Sequence, residues 1–141
     1  MATYTKYESF IEYIWDKQVD LFGTTETLNA VIHSDAPVVA TDNELTDLTQ
    51  ITGTGYTAGG EDIQNDATRT GGTVTLTAVD VVWTAGAGDW TSGQYVSIYD
   101  DTPTTPVADP LMCAFDYGST FTLGNGETFT LDFGASLHTA A

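Results

Sequence analysis

A chain of 141 residues with a 41% hydrophobic share can bury one real core and is most simply a single domain, 1–141. Its formal charge of −17, 20 acidic residues against 3 basic ones, argues against nucleic acid as a partner and disfavours anionic membranes. The acids stand singly among Val, Phe, Tyr and Trp, so this is not the composition of a disordered acidic tail.

Threonine occurs 26 times, a residue whose β-branch favours strands and whose hydroxyl suits an exposed sheet face. The lone Cys113 sits in the apolar run LMCAF and reads as a buried thiol. It excludes an intrachain disulfide and a thiolate zinc cluster. No secretory signal pattern and no membrane-spanning run is visible.

Residues 5–22, TKYESFIEYIWDKQVDLF, place Tyr7, Phe10, Ile11, Ile14 and Trp15 at helical spacing and predict an amphipathic helix with Gly23 as its stop. Its aromatic face either covers one end of a sheet core or meets another subunit. Leu28–Ile32 predicts a strand, ended before Pro37. Thr41 followed by Glu44 fits a capping box, so a helix of one to two turns is expected within 41–51.

Residues 53–72 hold six glycines and predict a long irregular loop or loosely paired arm. GTGYTAGG within it lacks the GK[ST] sequence and following helix of a phosphate cradle.

Residues 73–133 predict the core strands. Val74, Leu76 and Ala78 alternate in one phase, and Val79, Val81 and Trp83 in the other, which implies a bulge or a bend at a sandwich corner. Trp90, among glycines, either plugs the open end of the core or sits in an interface. In Tyr95–Tyr99, Val96 and Ile98 point one way and the tyrosines the other. Asp100–Pro110 is a stiff, proline-rich connection. Leu111, Cys113, Phe115 and Tyr117 are expected on one face. Phe121–Leu123 and Thr128–Phe133 are expected to pair as a hairpin with an odd-numbered loop around Gly124-Asn125-Gly126, keeping Phe129, Leu131 and Phe133 in the core. The whole reads as mainly β: a single β-sandwich or jelly-roll-like domain with an N-terminal amphipathic helix and a long Gly-rich loop.

Catalytic chemistry finds no foothold. His33 and His138 read as core-edge or surface residues, and nothing sets a serine on a strained elbow. No cofactor is implied. Asp100, Asp101 and Asp109 frame the proline-rich loop and are the first candidates for a structural divalent cation such as Ca²⁺, with Glu61, Asp62 and Asp66 as a second set. A carbohydrate- or receptor-binding module would instead need an exposed aromatic platform, such as Trp90 with Tyr56 or Tyr95.

The order of LNAVIHSDAPV, ELTDLTQI, YTAGG, VTLTAVDVVWTA, YDDTPTTPVADPL, FDYGS and GETFTLDF resembles a family of small virion proteins of tailed bacteriophages. The resemblance spans most of the chain. It implies a non-enzymatic capsid decoration or cement protein on the outer surface of the capsid, bridging major capsid subunits and associating as a trimer. A neck, tail or fibre role is the alternative it leaves. The interface candidates are then Tyr7, Phe10, Ile14 and Trp15 of the helix, Tyr56 and Arg69 of the irregular segment, and Trp90.

Overall fold

The computed structural model describes residues 2–23 and 25–140. It is a mainly β domain with one short α-helix near the N-terminus. Among the described residues ten strands form three sheets. The largest is antiparallel with the order β1 (Thr3–Lys6), β8 (Leu111–Phe121), β7 (Gly93–Asp100), β2 (Leu28–His33), β3 (Glu61–Asp62). A second sheet has the order β10 (His138–Ala140), β5 (Thr73–Thr77), β4 (Asp66–Thr70). β6 (Val81–Thr84) and β9 (Thr128–Leu131) form a two-stranded ribbon.

The large sheet is covered on both faces. Leu28, Ala30 and Ile32 of β2, with Val96 and Ile98 of β7, join Leu76, Val81, Trp83 and Leu131 from the two smaller sheets in the main core. The opposite face buries Val31, Tyr99, Leu111 and Ala114 together with Tyr7 and Leu48, under Val39 and Leu45 of the 36–48 segment. That double cover accounts for the nearly unbroken burial of β2 and β7, where one-sided burial would alternate.

Only Ser9–Trp15 of the expected 5–22 helix is helical. Thr3–Lys6 pairs with β8 instead, Tyr4 opposite Phe115 and Lys6 opposite Cys113. The helix, α1, buries Phe10 and Tyr13, one turn apart. It stops well before Gly23. Gln18 N–H donates to the Tyr13 carbonyl and Lys17 N–H to that of Ile14, with Lys17 at φ +57°. This is the paired closure that usually carries glycine at the left-handed position, and here lysine occupies it.

The capping box lies at Glu44 and Asp47 rather than Thr41 and Glu44, and it opens a single 3-10 turn, Leu45–Asp47. The phase change near Ala78 is a change of sheet: β5 and β6 are separate strands with different partners. Leu111 leaves the face of Cys113 and Phe115, because a bulge sets Ile98 opposite Cys113 but Tyr99 opposite Leu111.

The expected terminal hairpin is absent. In place of the expected odd-numbered loop, Glu127 N–H donates to the Gly124 carbonyl and closes a two-residue turn at Asn125-Gly126. The strand that follows pairs with β6, Phe129 opposite Trp83 and Leu131 opposite Val81. Phe121 still meets Phe129, as a stacked ring 4.4 Å away rather than as a strand partner. Leu131 and Phe133 are buried as expected, and Phe129 is half-buried.

Segment 53–72 is part loop and part strand, since it contains β3 and β4. Its glycines let it lie directly on the sheet. A Cβ at Gly60, where φ is +75°, would sit 1.9 Å from the Ala30 carbonyl oxygen, whereas at Gly71, φ +61°, it would meet nothing within 4 Å. Tyr56 continues the cover. Its hydroxyl lies 3.2 Å from the Ile32 amide and 3.2 Å from Gln50 Oε1, at the edge of β2 that short β3 leaves open.

Gly60→Ala therefore costs at least ~2 kcal/mol, backbone strain adding to a clash, while Gly71→Ala costs about 1 kcal/mol from strain alone. Urea midpoints of the two variants measure the difference, and equal losses would contradict this account of the segment.

Candidate functional site

The second face of the large sheet carries a chain of polar groups. His33, Ser97 and Tyr95 share that face, His33 opposite Tyr95 and Val31 opposite Ser97 in the ladder. His33 Nε2 lies 2.8 Å from Ser97 Oγ, and Ser97 Oγ lies 2.9 Å from the Tyr7 hydroxyl. On its other side His33 Nδ1 is 3.0 Å from the Asp35 carbonyl and 3.3 Å from Asp35 Oδ1. Asp35 Oδ1 also accepts from Thr49 N–H, tying the 34–50 segment to the same point. Tyr95 stacks on the imidazole with ring centroids 5.5 Å apart.

Asp35, His33 and Ser97 thus meet in the order of a hydrolytic triad, a meeting that the sequence does not announce. Their setting is different. His33, Ser97 and Tyr7 are all buried with no exposed surface. Ser97 lies inside a continuous strand, with its hydroxyl held between two partners, and no substrate carbonyl can reach it. Burial lowers the His33 pKa against the opposing pull of Asp35, so the ring is neutral at physiological pH. Burial likewise raises the Tyr7 hydroxyl well above its ordinary range. The arrangement is a satisfied polar network inside an apolar layer, which fixes one packing of that layer. A small cleft of about 230 Å³, lined by Tyr95, Pro37, Val39 and Asp116 among others, opens beside it without exposing Ser97.

A second polar feature lies at the end of β7. Asp100 is opposite Leu28 and so faces the main core. It is 1% exposed. Its Oδ1 accepts from Thr102 N–H, while its Oδ2 and Glu26 Oε2 are both buried without a donor. Burial, reinforced by the Glu26 carboxyl, pushes the Asp100 pKa up to about 7. The proton held there relieves the repulsion between two carboxylates.

The cation candidates do not assemble. Asp101 lies on the exposed surface, near Asn29 on the opposite side of the strand, and Asp109 is half-buried at φ +49°. Glu61, Asp62 and Asp66 are all exposed. Among the described residues no three His, Cys, Asp or Glu side chains converge to hold a metal ion.

The interface candidates separate into two groups. Tyr7, Phe10 and Trp90 are buried, at 0%, 1% and 2% exposure. Trp90 is the core plug: its Nε1 donates to the Thr54 carbonyl at 2.9 Å and its ring meets Tyr56 edge-on. Tyr56 is half-buried and bonded to β2. An exposed aromatic platform built on Trp90 is therefore ruled out. Ile14, Trp15 and Arg69 remain at the surface, Trp15 at 82% exposure. Ile11 and Phe22, which the sequence did not single out as surface groups, are exposed as well.

Ile11, Ile14 and Phe22 border an apolar groove of about 600 Å³ between α1 with its following loop and the β10-β5-β4 sheet. Comparison with protein-family models, with curated proteins and with solved structures finds no match.

Two measurements test these sites. Ser97→Ala leaves His33 Nε2 and the Tyr7 hydroxyl without their shared partner and costs about 1–3 kcal/mol in urea unfolding. Asp100 keeps its proton in the folded chain up to about pH 7, whereas an unfolded aspartate loses it near its ordinary value of 3.8. Its contribution to stability therefore falls as pH rises from about 4 to about 7, by at most about 1.4 kcal/mol per unit. Asp100→Asn flattens that dependence and is most favourable, relative to the parent, above pH 7. An unchanged pH profile would remove the carboxyl pair as its source.

Proposed function

We propose that this protein is a non-enzymatic structural component of a tailed-phage particle, a decoration or cement protein that bridges neighbouring major capsid subunits on the outer surface of the shell. On this reading the large sheet packed against the two smaller ones is a β-sandwich of jelly-roll-like form, and the subunit works as a trimer. The reading rests on the resemblance of the chain to small virion proteins, above all in YTAGG, YDDTPTTPVADPL and GETFTLDF.

One structural observation supports it. The polar groups that could suggest catalysis are shut inside the second layer, and the long Gly-rich segment lies hydrogen-bonded on the sheet. What the molecule offers to a partner is a rigid acidic exterior and a few apolar side chains, with Trp15 the most exposed of the large ones. A net charge of −17 steers such a body to basic patches and keeps the free form soluble.

Native particles freed of this protein should take it back to saturation, with affinity falling as salt rises, and a cryo-EM map of the refilled particle should give its copy number and position. Absence of rebinding, or binding indifferent to both salt and divalent cations, would sink the electrostatic docking mechanism. Light scattering on the isolated protein tests the trimer.

A further inference from the structure

The apolar groove beside α1 has a feature that the packing of the domain does not require. Its floor is one face of the small sheet. The ladder sets Ala67, Leu76 and His138 in one row, and Arg69, Val74 and Ala140 in the next. Its wall is Phe10, Ile11 and Ile14 of α1 with Leu21 and Phe22 beyond, and Lys17 stands on its rim. Lys17 therefore borders the trough, and Arg69 stands beside Val74 on the sheet face that forms its floor.

Neither makes an ion pair among the described residues, although acids outnumber bases 20 to 3. Arg69 reaches only the Gly71 carbonyl. Asp20, the acid of the lining, accepts from Phe22 N–H. His138 is stacked on Tyr4, with its Nδ1 3.3 Å from the Tyr4 hydroxyl. Lys17 also holds the left-handed position that closes α1, where glycine would carry no strain. A strained lysine beside an apolar groove is worth explaining by what its ammonium does.

We propose that this groove binds a small amphiphile, an unbranched apolar chain with an anionic carboxylate head, with the chain in the trough and the head between Lys17 and Arg69. The volume lies within the range of small-ligand sites, which are mostly apolar with a few placed polar groups. Charge complementarity selects the head group. The long-range field of a −17 chain favours cationic amphiphiles and repels anionic ones. Preference for the anion is therefore the signature of the local cations, and preference for the cation that of unspecific adsorption.

The test uses the intact protein with dodecanoate and dodecyltrimethylammonium, both below micelle formation, read by calorimetry and by the emission of exposed Trp15. Dodecanoate should bind saturably at one site, and more tightly than the cationic amphiphile. Lys17→Gly should be at least as stable as the parent, because it removes the left-handed strain, yet bind dodecanoate several-fold more weakly. With Arg69→Gln added, the loss should reach at least tenfold. Ala67→Trp, which fills the floor, should abolish binding of the chain, and near-UV circular dichroism shows whether that variant keeps its fold. Absence of saturable dodecanoate binding overturns the proposal, as does tighter binding of the cation or full affinity in the Lys17→Gly, Arg69→Gln double variant. Concentration-dependent self-association lost in Ala67→Trp, without dodecanoate binding, would overturn it in favour of a second copy as the occupant.

Discussion

The pairing of β2 with β7 is the interaction on which everything else hangs. Six residue pairs, from Leu28–Asp100 to His33–Tyr95, run through the middle of the large sheet, and both of its faces are covered by other parts of the chain. The odd-numbered side of this pairing belongs to one layer and the even-numbered side to the other. A slip of β2 by one residue against β7 would exchange Val31 and His33 with Ala30 and Ile32, placing the imidazole in the main core and leaving Ser97 behind on the other face. The buried network Asp35–His33–Ser97–Tyr7 penalises that slip, because each polar group would be stranded without its partner. It is a lock on register, and its resemblance to a hydrolytic triad is a matter of composition rather than access.

The second layer also explains why the protein needs its irregular segments. β2 and β7 are too apolar on both faces to meet water, and among the described residues no second full sheet lies over the Val31–Tyr99 face. The 36–48 segment fulfils that role with Val39, Leu45 and Leu48, and its backbone is fastened to β8 through Leu111 N–H and the Asn43 carbonyl. The proline-rich loop is joined to the same region, since Leu45 N–H donates to the Asp109 carbonyl. Segments that look like connections therefore act as lids.

Where local chemistry decides structure, the sequence is readable. The alternation of Val96 and Ile98 against the tyrosines and the burial of Cys113 follow from neighbours in the chain. Partner choice does not. The strand after Asn125-Gly126 carries the right apolar residues for a hairpin, yet its ladder partners are Trp83 and Val81, while Phe121 is paired in β8 with Gly93 of β7. The bulge that turns Leu111 away from Cys113 is set by the fit of β8 to β7 and has no signature in LMCAF. Tyr7 has helical spacing to Ile11 and Ile14, but its hydroxyl is held by a serine 90 positions away, and the helix begins only after it. For the groove, the sequence supplied Phe10 and Ile14 but not their assembly, because the sheet that forms the floor is completed by residues far along the chain.

That last point has a consequence for how the molecule is made. Tyr4 and His138, 134 positions apart, touch through hydroxyl and imidazole, and β1 and β10 each lie at an edge of their sheets. β1 leaves the ribosome before β8, which gives it its ladder, and the small sheet lacks one edge until β10 arrives. A nascent chain stalled before those residues exposes an unpaired strand and an open apolar groove, the surfaces that recruit chaperones or seed aggregates. For this topology, synthesis and folding are not successive stages of one half and then the other. The fold closes as a ring, and the contact of Tyr4 with His138 is its clasp.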